Sequence, residues 1–145
     1  MNTAQAIRIA SLGILLVPNL EDIYKLLLIY FVDSIDCIPG PCPDYKYQSI
    51  DKLIDFLSYI FILVYLWPKT QNWFRWLLVG TLVFRLIGLS VFYKTRDETV
   101  LVKFPDYFRE FTVVNLLFPG NPWWLLAVLV TKPFVEMYLH ARNAK

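Results

Sequence analysis

The chain has 145 residues, of which 57% are hydrophobic and 17% aromatic, and its formal net charge at pH 7 is +2. Its mean hydropathy of +0.48 is too high for an ordinary soluble domain, because so short a chain cannot bury that much apolar side chain in one core. The near-neutral charge and the lack of a long basic run argue against nucleic acid as a partner. The composition predicts a small integral membrane protein whose surroundings are a lipid bilayer.

Apolar segments follow one another along the chain, separated by prolines, glycines or charged residues. They cover residues 4–17, 20–36, 50–67, 73–93, 105–118 and 122–141. Because backbone polar groups in lipid must be satisfied internally, each segment is predicted to be a helix. The first and fifth are shorter than the roughly 20 residues that cross a bilayer core. The predicted fold is an all-α membrane bundle of about six (five to six) short transmembrane helices, in a single domain over residues 1–145.

Two details of composition bear on processing and redox state. The N-terminal apolar run has the length of a signal peptide, but no convincing small-x-small cleavage site precedes Pro18, so this run is predicted to be retained. Cys37 and Cys42 are the only cysteines, and they flank a Pro-Gly-Pro turn. That spacing permits a small disulfide ring, although two free thiols are the favoured interpretation.

Charged and aromatic residues predict the orientation in the membrane. If segments two to six all cross, the acidic loop 37–50, the loop 94–104 and the C-terminus share one side, which carries most of the basic residues. The positive-inside rule makes that side cytoplasmic. The tryptophans fall at segment ends on the opposite side, where aromatic rings anchor at the headgroups. They are Trp67, Trp73, Trp76, Trp123 and Trp124.

Carboxylates concentrate where the second segment ends and the third begins. Five of the 12 acidic residues lie between Asp33 and Asp55. Asp33 and Asp36 are three positions apart, and Asp51 and Asp55 are four apart, so each pair shares one face of its helix. The prolines and Gly40 between the pairs should reverse the chain. The four aspartates are therefore predicted to form an oxygen-rich site for a hard divalent cation.

Other ionisable residues also fall within apolar segments. Arg85 stands alone in the run LLVGTLVFRLIGLSVF, where a guanidinium needs an acidic neighbour or an anionic ligand. We expect it to face the aspartates, either as a structural counter-ion or as a contact for a substrate phosphate. Arg109 and Glu110 fit either this cavity or interfacial snorkelling, and Glu136 and His140 fit either the cavity or a helix end that emerges into water.

The two aspartate pairs carry a resemblance. A D-x-x-D at the end of one membrane helix followed by D-x-x-x-D at the start of the next resembles the motif of the CDP-alcohol phosphotransferase (CDP-alcohol phosphatidyltransferase) family. The resemblance implies a cytoplasmic active site with two metals, Mg²⁺ or Mn²⁺, and a phospholipid-biosynthesis reaction in which a phosphoryl-alcohol unit is transferred from a CDP-linked donor. It implies that Asp33, Asp36 and Asp51 bind metal and the donor diphosphate, and that Asp55 joins the metal site and acts as the catalytic base.

The chain departs from the family motif between the pairs. Cys37 stands where the motif has its first glycine, Gly40 and Pro41 where it has Ala-Arg, and Tyr47 where it has its second glycine. The interval between the second and third aspartates is also shorter. Because the motif arginine is missing, other cations become candidates for binding the substrate phosphates. They are Lys46, Arg85 and Arg109.

Further functions stay open beside this transferase. The departures favour a non-enzymatic helical membrane protein, either an assembly partner or a degenerate relative that keeps the fold. A cation pathway lined by Asp33, Asp55, Arg85 and Glu136 is another candidate. His140 is the single histidine and no P-loop or HExxH motif occurs, so zinc hydrolysis is poorly supported. Candidate partners are a CDP-linked lipid or alcohol and a second copy of the chain in a homodimer.

Overall fold

The chain is helical in the computed structural model, which describes residues 3–34, 45–97 and 99–143. The α-helices are α1 (Thr3–Ser11), α2 (Asp22–Ser34), α3 (Tyr45–Leu66), α4 (Asn72–Thr95), α5 (Thr99–Lys103), α6 (Phe108–Leu117) and α7 (Pro122–Asn143). Short 3-10 helices, Leu12–Leu16 and Trp67–Lys69, follow α1 and α3. The described residues include no strand, so the predicted all-α class is confirmed.

Most predicted segments match helices closely. The fourth, 73–93, corresponds to α4, and the sixth, 122–141, corresponds to α7. The third begins earlier than predicted: α3 starts at Tyr45, so residues 45–49, which precede the predicted segment, are helical as well. The first is α1 continued by a 3-10 helix rather than one regular helix. The sequence did not predict α5, whose short length gives too little periodicity to distinguish it from a loop.

Local chemistry explains several of the boundaries. Pro68 lies in the 3-10 helix that ends α3, since proline cannot continue the hydrogen-bonded ladder. Gly120 has φ of 78°, a left-handed conformation that glycine adopts without steric cost, and it turns the chain after α6. The side-chain oxygen of Asn121 then accepts a hydrogen bond from the Trp123 N–H at 3.1 Å, and Pro122 occupies the first position of α7.

The helices divide into two compact units, Met1–Gln71 and Asn72–Lys145. In the first unit, α1 packs against both α2 and α3. Its buried apolar side chains include Leu15, Leu26, Ile29, Tyr30, Tyr59, Ile62 and Leu66. In the second unit, α4 packs against α5 and α6, and α7 packs against α5 and α6. Its buried apolar side chains include Phe74, Leu78, Leu89, Phe92, Phe108 and Phe111. The prediction of a single domain over 1–145 stays a prediction.

One helix of the described ranges, α4, is both long and apolar enough to cross a membrane, by length and composition. Its 24 residues exceed the roughly 20 that a bilayer core requires. Shorter apolar helical stretches are Gln5–Leu16 and Pro122–Val135. Charged residues near the start of α3, Asp51, Lys52 and Asp55, lower the hydropathy of that long helix. The predicted number of membrane spans stays a prediction.

In the second unit, α4 and Phe104 lie very close to each other. Gly88 of α4 faces Phe104, and a Cβ built on the glycine would lie 2.5 Å from the Phe104 Cβ atom. The ring of Phe84, one turn earlier on α4, packs on the Phe104 ring with a centroid distance of 5.1 Å. Only a residue without a side chain allows the Phe104 backbone to come this near to α4. Gly88 thus fixes how the segment between α5 and α6 lies on α4.

A polar network ties the start of α2 to the end of α3. The Tyr65 hydroxyl donates to Asp22 at 2.6 Å and accepts hydrogen bonds from Lys25 at 2.9 Å and from Lys69 at 2.7 Å. Lys69 also donates to both carboxylate oxygens of Asp22, at 2.8 and 3.0 Å. Burial acts to lower the pKa of Lys69, but the hydrogen bonds to Asp22 and Tyr65 and the charge of Asp22 outweigh it and raise the pKa above 10.5.

Candidate functional site

The first unit brings three of the predicted metal-binding aspartates together. Asp33 lies in the last turn of α2, and Asp51 and Asp55 lie on successive turns of α3. Because α1 packs against both of these helices, a side chain of α1 can reach all three carboxylates. That side chain is Arg8, whose exposed fraction is 6%. We call Arg8, Asp33, Asp51 and Asp55 the Arg8 cluster.

Arg8 forms an ion pair with each aspartate of the cluster. Its Nη2 atom contacts Asp33 Oδ1 and Asp55 Oδ1, and its Nη1 atom contacts Asp51 Oδ1. The planar guanidinium directs several N–H donors in fixed directions, so one arginine can bridge carboxylates from two helices. The aspartate side chains are only 10 to 17% exposed, so these contacts form in a mostly dry environment. The Arg8 cluster therefore fastens α1 to α2 and α3.

The charge of the Arg8 cluster is not balanced by Arg8 alone. Lys52 approaches Asp51 Oδ2 at 3.7 Å and Asp55 Oδ2 at 3.9 Å, and it is 31% exposed. Lys52 thus adds a second positive charge beside these carboxylates.

A small pocket opens beside the ion pairs. Arg8, Asp33, Asp55, Ser11 and Ser58 supply its polar lining. Tyr30, Tyr59, Ile29 and Ile62 supply the rest. Its volume is about 10 Å³, which is enough for one water molecule and far below the several hundred Å³ of a typical ligand pocket. A nucleotide-sized donor could bind here only if Arg8 or the adjoining side chains moved.

The carboxylates suit a hard divalent cation by chemistry, but their present spacing is set by Arg8. Aspartate oxygens are the ligands that Mg²⁺ and Mn²⁺ prefer. Yet across residues 3–34, 45–97 and 99–143, no group of three or more acidic, histidine or cysteine side chains is arranged to hold a metal. Aspartate is therefore the right kind of donor, but in the described residues Asp33, Asp51 and Asp55 converge on the Arg8 guanidinium and are not arranged around a metal.

For several other predicted site residues, the residue or its side chain is outside the part of the chain that the structure describes. Asp36 and both cysteines fall outside the described residues. Lys46 lies on the first turn of α3, but its side chain is not among those described. The side chains of Glu136 and His140 on α7 are likewise outside the description.

Two predicted cationic contacts belong to the second unit. Arg85 is buried and its Nη1 atom donates to the backbone carbonyl of Phe104 at 3.0 Å. Arg109 lies half-buried near the start of α6, where the neighbouring Glu110 accepts a hydrogen bond from Lys132 of α7. Arg85 thus has a backbone partner that the sequence did not predict. Binding of substrate phosphate by Arg85 or Arg109 stays a prediction.

Arg8 is not among the predicted site residues, although the sequence carries a signal for it. Arg8 is the one basic residue of the apolar run AQAIRIASLGILL, which is the same pattern that singled out Arg85. A buried guanidinium requires an acidic or carbonyl partner wherever it lies. Applied to Arg8, that rule would have predicted a buried acidic or carbonyl partner for its guanidinium.

Comparison of the chain with protein-family models, with curated proteins and with solved structures gives no match.

Proposed function

We propose that this chain is a membrane-embedded transferase of the phospholipid-synthesis type. It moves a phosphoryl-alcohol unit from a CDP-linked donor to an acceptor with the help of Mg²⁺ or Mn²⁺. The observation that carries the proposal is that the largely buried carboxylates of Asp33, Asp51 and Asp55 converge on one positively charged group, the Arg8 guanidinium. These are three of the four aspartates of the CDP-alcohol phosphotransferase motif that the chain resembles.

The surface of the helices supports a place in the bilayer. Large apolar side chains are exposed on helices of both units, where water would make them unfavourable and lipid would not. The most exposed include Leu16, Phe31, Val64, Trp76, Trp123, Phe134 and Tyr138, at 65 to 85%. All five tryptophans of the predicted outer belt are exposed as well. We therefore propose a multi-pass protein with the acidic loop and the C-terminus in the cytoplasm.

The proposed roles follow from carboxylate chemistry. Asp33, Asp36 and Asp51 would hold the divalent cations, whose positive charge would favour binding of the donor diphosphate. Bound divalent cations would neutralise the negative charge of the phosphates during displacement. Asp55 accepts the proton of the acceptor hydroxyl, a task for which a carboxylate must be ionised and within hydrogen-bond reach. Lys46, Arg85 and Arg109 are the proposed contacts for substrate phosphate.

The proposal predicts release of CMP. Purified protein given CDP-diacylglycerol or a CDP-alcohol, with candidate acceptors and Mg²⁺ or Mn²⁺, should release CMP, and EDTA should stop the release. Asp55→Asn should lower the rate by at least about 100-fold, because general base catalysis contributes roughly that much or more. The measurement is CMP formation by chromatography, with folding checked by tryptophan fluorescence.

Asp22→Asn is the matched control for this experiment. It is the same substitution in the same unit, but Asp22 bonds to Tyr65, ten residues or about 15 Å along α3 from Asp55. CMP release should survive it. If Asp55→Asn and Asp22→Asn release CMP at equal rates, the catalytic assignment of Asp55 is wrong. If no donor yields CMP, the protein is not a transferase of this type.

The proposed orientation has its own test. Cys42 lies in the acidic loop, outside the described residues, and the orientation places it in the cytoplasm. An impermeant maleimide added outside intact cells should leave Cys42 unlabelled, and labelling should appear once the membrane is opened. A cysteine introduced beside Lys69, on the predicted outer side, serves as the positive control. Labelling of Cys42 in intact cells would show that the proposed orientation is wrong.

A non-enzymatic helical membrane protein is the second candidate, and the ion pairs of Arg8 favour it. A guanidinium among the three aspartates gives them a structural task, since it fastens α1 to α2 and α3 without a metal. In that case the aspartates matter for folding alone. Asp55→Asn would then lower stability in buffer that contains EDTA, and no donor would release CMP.

A further inference from the structure

The aspartates of α3 and its exposed apolar residues lie on different faces of the helix. Asp51 and Asp55 form ion pairs with Arg8, and their side chains are only 10 to 16% exposed. On another face, apolar side chains that are 40 to 66% exposed recur every three or four residues. They are Ile50, Leu53, Leu57, Phe61 and Val64, which we call the α3 stripe. The α3 stripe is therefore uncharged, although the helix that bears it is not.

The other helices of the first unit arrange polar and apolar side chains in the same way. Gln5 and Arg8 of α1 and Lys25 of α2 are buried, with exposed fractions of 2 to 6%. Ile7 of α1 and Phe31 of α2 are 54% and 65% exposed. Water favours the reverse arrangement, because exposed apolar surface is unfavourable there and charged groups are solvated. Lipid favours the observed one, because hydrocarbon accommodates apolar side chains and polar groups must find partners within the protein.

The α3 stripe has nearly the length of a bilayer core. From Ile50 to Trp67, which is also exposed, the helix rises about 26 Å at 1.5 Å per residue, against roughly 30 Å for the hydrocarbon. Beyond Trp67 the surface becomes charged, since the exposed Lys69 forms an ion pair with Asp22 at 2.8 Å. The charge along this face thus complements a bilayer, because it is absent over the hydrocarbon and present at the headgroups.

We propose that lipid acyl chains cover the α3 stripe, and that the Arg8 cluster lies at the depth of the hydrocarbon core but faces the interior of the first unit. Asp55 is about 8 Å along the helix from Ile50 and about 18 Å from Trp67, so it lies between the two ends of this apolar face. The inference rests on the membrane location in the proposed function. It adds which face of α3 meets lipid and the depth at which the ion pairs form.

Photolabelling from within the bilayer tests the inference on the unsubstituted protein and without any substrate. The protein is placed in phosphatidylcholine vesicles that contain a diazirine-bearing fatty acid, and the labelled residues are located by mass spectrometry. Leu57 and Phe61 should be labelled as strongly as Val83, an exposed residue of α4, the helix that is long and apolar enough to cross a membrane. Ile62, on the same helix as the stripe but 0% exposed, should be labelled several-fold less.

Spin labels distinguish lipid from water at single positions. A nitroxide is attached to the cysteine of Leu57→Cys, Phe61→Cys or Lys69→Cys, each in a Cys37→Ser and Cys42→Ser background. Collisions with O₂, which concentrates in hydrocarbon, should exceed collisions with a water-soluble nickel chelate at Leu57 and Phe61. The order should be reversed at Lys69, whose side chain is 42% exposed beyond the end of the stripe.

Two results would overturn the inference. Labels at Leu57 and Phe61 that collide mainly with the nickel chelate would show that the α3 stripe faces water. Rare collisions with both reagents, together with weak photolabelling, would show that protein covers the stripe.

These readouts are independent of catalysis. A lipid-covered α3 stripe without CMP release would exclude the transferase and leave the inference standing. CMP release by a protein whose α3 stripe faces water would support the transferase and overturn the inference.

Discussion

Arg8→Met should lower the free energy of unfolding by about 3 to 5 kcal/mol, because it removes the guanidinium that forms ion pairs with three mostly buried carboxylates. Methionine keeps much of the length and apolar stem of arginine, so the loss is chiefly electrostatic. The measurement is chemical or thermal unfolding of the detergent-solubilised protein at neutral pH in EDTA. Lys94→Met, at an exposed position of α4, removes the same charge and should change stability by less than about 1 kcal/mol.

A second substitution distinguishes electrostatic repulsion from lost packing as the cause of the destabilisation by Arg8→Met. If repulsion among the carboxylates causes the loss, Asp33→Asn in the Arg8→Met background should recover part of it, although Asp33→Asn alone should be destabilising. If lost packing causes the destabilisation instead, Asp33→Asn should add its own loss of stability to that of Arg8→Met. A double variant that is as unstable as the sum of its parts would show that the ion pairs do not hold α1 in place.

Gly88→Ala should destabilise the second unit by roughly 1 to 3 kcal/mol, although alanine is the better helix former. Its new methyl group would lie 2.5 Å from the Cβ and 2.8 Å from the Cγ of Phe104. The Cβ of Phe104 is fixed to its backbone, so relief requires the chain to move away from α4. That movement would also lengthen the hydrogen bond that Arg85 donates to the Phe104 carbonyl.

Gly80→Ala is the control within the same helix. A Cβ at Gly80 meets nothing within 4 Å, so this substitution should be neutral or stabilise by up to about 1 kcal/mol. The two variants therefore differ in sign as well as size when unfolding is followed by circular dichroism. Equal stability of Gly88→Ala and Gly80→Ala would mean that α4 and Phe104 do not approach as closely as the structure indicates.

Local sequence determined the helical class of this protein and most of its boundaries. Pro68 and Gly120 predicted where α3 and α6 end, and Pro122 predicted where α7 begins, because proline and glycine act on the backbone within a few residues of where they stand. The sequence also predicted that Asp51 and Asp55 share one helix face, because the spacing of residues on a helix face does not depend on the rest of the chain.

Tertiary structure alone decided which partner each charged side chain meets. Arg8 and Asp51 are 43 positions apart, and Arg85 and Phe104 are 19 apart, so neither contact follows from helix periodicity. The rule that a buried guanidinium needs a partner applies equally to Arg8 and Arg85, and it leaves open whether that partner is a carboxylate or a carbonyl. The packing of α1 on α2 and α3 gave Arg8 the aspartates, and the absence of a side chain at Gly88 gave Arg85 the carbonyl of Phe104.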